Sequence, residues 1–180
     1  MNKKLKYLLK YGALGITSII VLSGCTATSS PGLVKSNKYV KDFNVDSNDK
    51  VKVVVTNVAG LYIKEEGKIH LAEVIKKDTN ILKKYNINSG KPNQYLVKVH
   101  ITKYDKGNAF ARFMIAGAGQ IHVDGIITVY TLPSKRKAEE FKITKTFAWG
   151  GIYGGATSIK EVGEGFAMGV AETVTDQKEK

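Results

Sequence analysis

The residue of this chain best suited to covalent chemistry is its single cysteine, Cys25. Four lysines lie among the first ten residues, and a mostly apolar segment, 11–22, then leads to the small residues Ser23 and Gly24. A membrane-spanning helix needs roughly 20 apolar residues, so this segment is too short to cross a bilayer. A basic start, a short apolar middle and small residues before a cut are typical of an export signal. We therefore predict that residues 1–24 form a signal peptide that is absent from the mature protein.

The sequence Leu22-Ser23-Gly24-Cys25 resembles the lipobox of bacterial lipoproteins. The resemblance implies cleavage between Gly24 and Cys25, transfer of a diacylglycerol to the Cys25 thiol, and N-acylation as a third chain. Two or more acyl chains give stable membrane anchoring. Thr26 stands where the inner-membrane retention signal of such lipoproteins usually has Asp, which implies the periplasmic face of the outer membrane in a host that has one. The alternative is a buried or stray cysteine after an uncleaved apolar stretch.

The length of the mature chain, 25–180, favours one domain on a tether over two domains. No second cysteine exists, so no internal disulfide can form and the framework depends on its core. Residues 25–49 are polar, contain Pro31 and Gly32, and show no sustained period, which predicts a flexible tether with at most a short local element near Tyr39–Phe43. Residues 50–176 are then predicted to form an α/β sandwich domain.

The formal net charge of the chain is +12, and removal of the four signal-peptide lysines leaves +8. Most of this excess lies before residue 107, so we expect attraction to anionic lipid head groups or acidic envelope polymers. The alternative is that scattered lysines only keep the domain soluble. We predict no nucleic-acid partner, because an exported and anchored chain seldom meets one.

Hydrophobic periodicity predicts six elements in the domain. Alternating or β-branched apolar residues indicate strands, and apolar residues at helical spacing indicate helices. A Ser158-Ile159-Lys160-Glu161 capping box marks the start of the last helix. The predicted elements are strand 51–57, helix 68–85, strand 95–104, strand 120–132, strand 140–149 and a helix from 158 to about 174. This order, β-α-β-β-β-α, predicts an α+β fold with a mixed sheet of about four strands and two helices packed on one face.

Motifs for catalysis or cofactor binding are weak. The run from Gly117 to His122 lacks the third glycine of a dinucleotide fingerprint and precedes a strand instead of a helix. His100 and His122 could face each other on adjacent strands, but two ligands are too few for a typical zinc site. The carboxylates of Asp124, Glu139 and Glu140 are expected to be solvated charges. We predict no catalytic residue, no metal, no cofactor and no enzymatic activity.

The segment Gly107–Gly119, between the second and third predicted strands, is apolar, small and nearly uncharged, which is unusual for a loop. It must fold against the body of the domain or be offered to a partner. This segment, the alternating strand after it and the glycine-rich approach to the last helix resemble domain-of-unknown-function family 4410, made of bacterial lipoproteins. The order of elements is more distantly similar to periplasmic domains of curli-secretion and penicillin-binding-protein-activator lipoproteins.

The resemblance implies fold and anchoring more than activity, since no chemistry is assigned to that family. Its most specific positions in this chain include Asn108, Arg112, Gly117 and Gly119, which we take as interaction or structural residues. Arg112 could clamp an acidic group bidentately, or it could be a structural arginine that binds loop carbonyls or a carboxylate such as Asp124. The chain departs from the family after the third strand, where Leu132-Pro133-Ser134-Lys135 replaces the usual turn.

We predict a non-enzymatic, lipid-anchored cell-envelope lipoprotein that binds or scaffolds another envelope component or forms a homo-oligomer. The alternative is a subunit of a secretion or pore assembly in the outer membrane. Such pores need long alternating membrane hairpins, and the sequence shows no pair of strands that is long and lipid-facing enough.

Overall fold

A computed structural model of the protein describes residues 32–88 and 90–178. The predicted signal peptide, the cleavage site at Gly24 and the lipidated Cys25 lie outside the described residues. Within the described ranges, no helix is long and apolar enough to cross a membrane.

Five strands form one mixed sheet in the spatial order β1-β5-β4-β3-β2. Only β2 and β3 pair in parallel, and the other neighbours are antiparallel. The parallel pair follows from the helix between them, because parallel strands need a crossover connection. The strands are β1 (Gly32–Lys38), β2 (Lys50–Asn57), β3 (Gln94–Asp105), β4 (Ile121–Leu132) and β5 (Arg136–Phe147).

The described residues contain four α-helices, of which two are long and two are short. The two long ones, α1 and α4, pack against each other and cover one face of the sheet. The helices are α1 (Glu65–Leu82), which continues into a 3-10 turn (Lys83–Tyr85), α2 (Ala109–Met114), α3 (Gly151–Ala156) and α4 (Ile159–Thr175).

The core lies between the sheet and the two long helices. Alternation along β3 and β4 sends every second side chain inward, as the sequence predicts. Phe166 of α4 is completely buried against the sheet, opposite Gly125 of β4. Fully buried side chains of the sheet that line this core include Val97, Val99, Ile101, Ile121, Val123, Ile127 and Val129.

The capping box predicted at the start of the last helix is present in α4. The Ser158 hydroxyl accepts a hydrogen bond from the Glu161 amide at 3.3 Å, and the Glu161 carboxylate accepts one from the Ser158 amide at 2.8 Å. Both bonds satisfy amides that the first helical turn cannot pair internally.

The α+β class with a mixed sheet is confirmed, but the predicted counts of strands and helices are too low. The missed helices, α2 and α3, have six residues each and are too short to show a helical period. The missed strand, β1, pairs with β5 through its backbone, from Gly32 opposite Thr144 to Lys38 opposite Glu139. Its polar sequence carries little of the alternation that identifies a strand.

The flexible tether predicted for residues 25–49 is wrong in its second half. Besides β1, this stretch includes Phe43 and Val45, which are buried in the core. The Phe43 and Tyr95 rings pack edge to face with centroids 5.3 Å apart, and the Val45 amide donates to the Val174 carbonyl at 2.9 Å. Isolated apolar residues without a period are a weak signal, so the sequence missed this packing. The folded domain therefore includes the residues from Gly32 onward.

Candidate interaction surfaces

The segment Gly107–Gly119 folds into the short helix α2 and a turn. It lies at the end of the sheet where β3 finishes and β4 begins, and α3 follows the neighbouring end of β5. The two short helices contact each other. The sequence thus left two fates open for this segment, and in the structure it packs against α3.

The start of α2 depends on Asn108 and on two glycines that approach each other closely. The Asn108 side chain caps α2 by accepting a hydrogen bond from the Ala111 amide at 3.0 Å. The Asn108 amide donates to the Gly119 carbonyl at 3.1 Å. Gly107 and Gly119 both have φ near +60°. A Cβ added at Gly107 would overlap the Gly119 carbonyl, and one added at Gly119 would overlap the Asn108 carbonyl. Asn108 and Gly119 therefore have evident structural roles.

Arg112 is buried beneath α2, with 3% of its surface exposed. Its Nε donates to the Gly154 carbonyl at 2.7 Å, and its Nη2 donates to the Thr157 carbonyl at 3.1 Å. Its Nη1 donates to the carbonyls of Lys106 at 3.2 Å and Gly119 at 2.7 Å. Four of the five donors of a guanidinium are engaged in this way. The geometry favours the structural role among those the sequence left open, with carbonyls as the partners.

Gly117 and the residues before α3 complete the join between the two short helices. The Gly117 amide donates to the Ala148 carbonyl at 2.9 Å, and Gly117 has a φ of +85°. Gly150 lies so close to Ala116 that an added Cβ would come within 2.9 Å of the Ala116 Cβ. The turn after α2 is thus held against the approach to α3.

The outer surface of the two short helices is apolar and solvent-exposed. We call this surface the α2–α3 patch. Its members, with the exposed fraction of each, are Phe110 (73%), Phe113 (50%), Met114 (61%), Ile115 (65%), Trp149 (37%), Ile152 (78%) and Tyr153 (80%). The only charged residue in 107–119 is the buried Arg112, and 147–158 contains none. Contiguous exposed apolar surface rimmed by polar residues marks sites of protein or membrane interaction.

The second candidate surface is the face of the sheet that α1 and α4 leave uncovered, which we call the open sheet face. Val54 and Ile126 are exposed there, at 36% and 39%. Lys98 pairs in register with Val54, and Lys142 pairs with Ile126. The surface therefore combines exposed aliphatic side chains with positive charge.

The two histidines considered as metal ligands do not meet. In the β3–β4 register His100 lies opposite Ile126, whereas His122 lies opposite Asp105. Each imidazole instead lies beside a threonine of the next strand, with Nδ1 at 3.0 Å from the hydroxyl of Thr56 or Thr146. The described residues include no group of three or more His, Cys, Asp and Glu side chains able to hold a metal ion.

The three carboxylates considered as acid and base have different environments. Glu140 accepts hydrogen bonds from Lys137 Nζ at 2.8 Å and Thr128 Oγ1 at 3.1 Å, and the bond from Lys137 lowers its pKa. Glu139 is completely buried, and Ser36 Oγ donates to its Oε1 at 2.6 Å. Desolvation raises the pKa of Glu139, which corrects the expectation of a solvated charge there. Asp124 lies opposite Thr144 in the β4–β5 register and is not among the partners of Arg112.

Sequence reasoning did not find an apolar groove between α1 and α4. Leu71, Val74 and Ile159 contribute to its lining, and His70 and Glu164 lie at its border. The His70 Nε2 atom is 3.8 Å from the Glu164 carboxylate, which is too long for a hydrogen bond. The groove lining also includes Glu66, Lys68 and Lys160, so charged side chains surround its apolar floor.

The comparison with protein families gives one match, to a domain of unknown function, DUF4410, over residues 39–169. The match spans most of the chain. The chain belongs to the DUF4410 family. The matched range contains the whole α2–α3 patch and begins after β1. The similarity to curli-secretion and penicillin-binding-protein-activator lipoproteins stays a prediction.

Solved structures similar to this DUF4410 protein include two crystal forms of the PelC dodecamer from Paraburkholderia phytofirmans. One has a TM-score of 0.53 with 6% identity and covers 78% of this chain and 98% of PelC. The other, a point variant, has a TM-score of 0.50 with 9% identity and covers 79% of this chain and 98% of the PelC chain. A predicted lipoprotein from Caulobacter crescentus has a TM-score of 0.37 with 9% identity and covers 69% and 83%. At 6% and 9% identity the likeness to PelC is one of fold. No curated protein matches the chain significantly.

Proposed function

We propose that this protein is a non-enzymatic cell-envelope lipoprotein, anchored through lipid on Cys25 at the periplasmic face of the outer membrane. It binds or scaffolds another envelope component, or assembles with its own copies. The observation that carries the proposal is the α2–α3 patch, a wide exposed apolar surface without an exposed charged side chain. Such a surface suits contact with a partner protein or a bilayer, because it offers apolar area and no exposed charge.

The positions of the titratable groups support recognition over turnover. The donors of Arg112 are engaged by backbone carbonyls, so a substrate anion would have to displace them. Glu139 and Glu140 are adjacent in β5 and point to opposite faces of the sheet, so they cannot act together on one bond. The proposal therefore assigns the protein no catalytic residue and no cofactor.

A homo-oligomer is the form of assembly that one observation favours. The fold is similar to PelC, whose crystals contain dodecamers, and the similarity covers nearly the whole PelC chain. The open sheet face supplies aliphatic side chains at Val54 and Ile126 beside Lys98 and Lys142 for contact with an acidic partner or with another copy. A subunit of a secretion or pore assembly in the outer membrane is the second candidate, and an assembly of many copies would be compatible with it.

Site-specific photo-crosslinking in intact cells tests this function. A photo-reactive amino acid replaces Ile126 on the open sheet face, and the control replaces Ile81, which is 45% exposed on α1. We expect Ile126 to capture a discrete partner or a ladder of copies, and Ile81 to capture far less. Equal and diffuse labelling at both positions, together with a monomer in membrane extracts, would overturn the proposal. Intact-mass analysis of the same protein checks the acyl chains on Cys25.

A further inference from the structure

The α2–α3 patch has the composition of a membrane-interface surface. Four of its seven members are aromatic, and Trp149 and Tyr153 each combine an apolar ring with a polar tip. Such rings are enriched where acyl chains meet head groups. The exposed charged residues nearest in sequence are of both signs, with Asp105 and Lys106 before α2 and Lys160 and Glu161 at the start of α4. The patch therefore has an apolar centre with charged residues of both signs at its border.

The chain enters the fold at the same end of the sheet as this patch. Gly32, the first residue of β1, pairs with Thr144 of β5, and the Thr144 hydroxyl donates to the Gly32 carbonyl at 3.5 Å. Strand β5 ends three residues later at Phe147, and α3 begins at Gly151. Because β1 and β5 are antiparallel, the start of β1 and the end of β5 point the same way. The anchored end of the chain and the patch are thus neighbours.

The distance between Cys25 and Gly32 limits how far the domain can lie from its lipid. A fully extended chain spans at most about 3.6 Å per residue, so this connection reaches no more than about 25 Å. The far end of β5, at Arg136, is roughly as distant again from Thr144 at about 3.3 Å per residue. The end of the sheet that carries the patch can therefore meet the bilayer with the connection in any conformation, whereas the far end can do so only when the connection is nearly fully extended.

We propose that the α2–α3 patch inserts into the interfacial layer of the bilayer that holds the acyl chains of Cys25. This inference rests on the lipid anchoring of the proposed function and names the occupant of the patch. Phe110, Phe113 and Ile152 enter the acyl boundary, while Trp149 and Tyr153 lie at the level of the head groups. The anchor and the patch then form two points of attachment, which fix the orientation of the domain and leave the open sheet face free for a partner.

Bilayer contact explains the patch better than a second copy does. The connection keeps this end of every copy within about 25 Å of the membrane, whereas an interface between copies can use any side of the domain. The patch also lacks exposed charges that could fix the register of a protein partner. Burial of the patch between copies is one outcome that the experiment below distinguishes.

The chain itself supplies the probe, because Trp149 is its only tryptophan and belongs to the patch. The full lipidated protein is reconstituted into phosphatidylethanolamine–phosphatidylglycerol vesicles, with and without lipids brominated on the acyl chains near the head group. We expect the brominated lipids to quench Trp149 emission and the vesicles to shift that emission to shorter wavelength. Soluble iodide should quench Trp149 less in vesicles than in detergent.

A matched pair of double variants separates the patch from exposed apolar residues in general. Ile152→Ser with Tyr153→Ser alters the patch, and Tyr85→Ser with Ile87→Ser alters residues near the opposite end of the sheet that are exposed to 72% and 91%. We expect the first pair to lose most of the quenching and the second pair to retain it. Far-ultraviolet circular dichroism confirms that both variants are folded.

Each outcome decides the proposal. Acylated protein in the vesicle fraction with Trp149 open to iodide and untouched by bromine would show that the anchor holds and the patch does not insert. If neither iodide nor brominated lipid quenches Trp149, and the variant Ile152→Cys forms crosslinks between copies, the patch is an interface between copies. Protein with an unmodified Cys25 that leaves the membrane fraction would overturn the anchoring itself and the insertion with it.

Discussion

The Nε of Arg112 donates a hydrogen bond of 2.7 Å to the Gly154 carbonyl, and through it one buried side chain of α2 holds α3. The same guanidinium binds carbonyls before α2, after α2 and at the end of α3. Two helices of six residues are too short to be stable alone. The α2–α3 patch therefore keeps its shape through this arginine.

The first prediction concerns the loss of that guanidinium. We expect Arg112→Lys to lower the free energy of unfolding by about 2–3 kcal/mol, because an ammonium cannot reach the separated carbonyls and leaves several of them unpaired in the interior. Urea denaturation followed by Trp149 emission measures the change. Arg136→Lys, at the exposed start of β5, is the control and should change stability little. Equal stability of both variants would refute a structural role for Arg112.

The second prediction concerns Gly125 of β4. A Cβ at this position would lie 2.9 Å from Cζ of Phe166, in the middle of the core. We expect Gly125→Ala to destabilise the protein by about 1–3 kcal/mol, since the buried ring has little room to move. Phe166→Leu in the same chain should recover part of this loss, and a double-mutant cycle by thermal or urea unfolding measures the coupling.

A glycine of α4 provides the control for that pair. Nothing lies within 4 Å of a Cβ added at Gly163. Gly163→Ala should therefore raise the free energy of unfolding by up to about 1 kcal/mol through helix propensity alone. A loss of stability at Gly163, or none at Gly125, would contradict the packing described for α4.

The third prediction concerns the pH dependence of stability. Desolvation raises the pKa of Glu139 in the folded protein. Its contribution to folding stability is therefore fully present below the unfolded pKa of about 4 and is lost as pH rises through the folded pKa. We expect Glu139→Gln to be more stable than the natural protein at pH 7 and to show a smaller loss of stability between pH 4 and pH 8. Thermal unfolding between pH 4 and pH 8 at constant ionic strength measures it.

The neighbouring residue in β5 should behave in the opposite sense. The hydrogen bond from Lys137 lowers the pKa of Glu140, so its contribution is present above the unfolded pKa and is lost as pH falls through the folded value. Glu140→Gln should therefore remove a small stabilisation at neutral pH and leave the decline caused by Glu139 in place. The same direction of change in both variants would rule out this assignment.

The fourth prediction concerns the start of α4. Ser158→Ala removes the hydroxyl that accepts from the Glu161 amide, and we expect a loss of about 1 kcal/mol. Ser158→Asp keeps an acceptor at the cap and should retain most of the stability. Urea unfolding of the three proteins gives the comparison, and an unchanged stability in Ser158→Ala would show that the cap does not stabilise α4.

The sequence determined the elements whose own residues carry a period or a cap. Alternation in Tyr95–Ile101 identified β3 and its inward face, the spacing of apolar residues identified α1 and α4, and Ser158 with Glu161 identified the start of α4. The short segment Leu132–Lys135 joins β4 to β5 as an antiparallel pair. These signals are local, because one face of each element must be apolar whatever it packs against.

Only the tertiary structure determined how these elements pair and pack with each other. Strand β1 exists because β5 offers an unpaired edge, and Phe43 and Val45 are buried because the core has room for them. The role of Arg112 depends on carbonyls up to 45 residues away in the chain. The α2–α3 patch likewise forms from two segments that become one surface only when the ends of β3, β4 and β5 bring them together. Contacts between distant segments leave no period in the sequence, and for that reason only the fold reveals them.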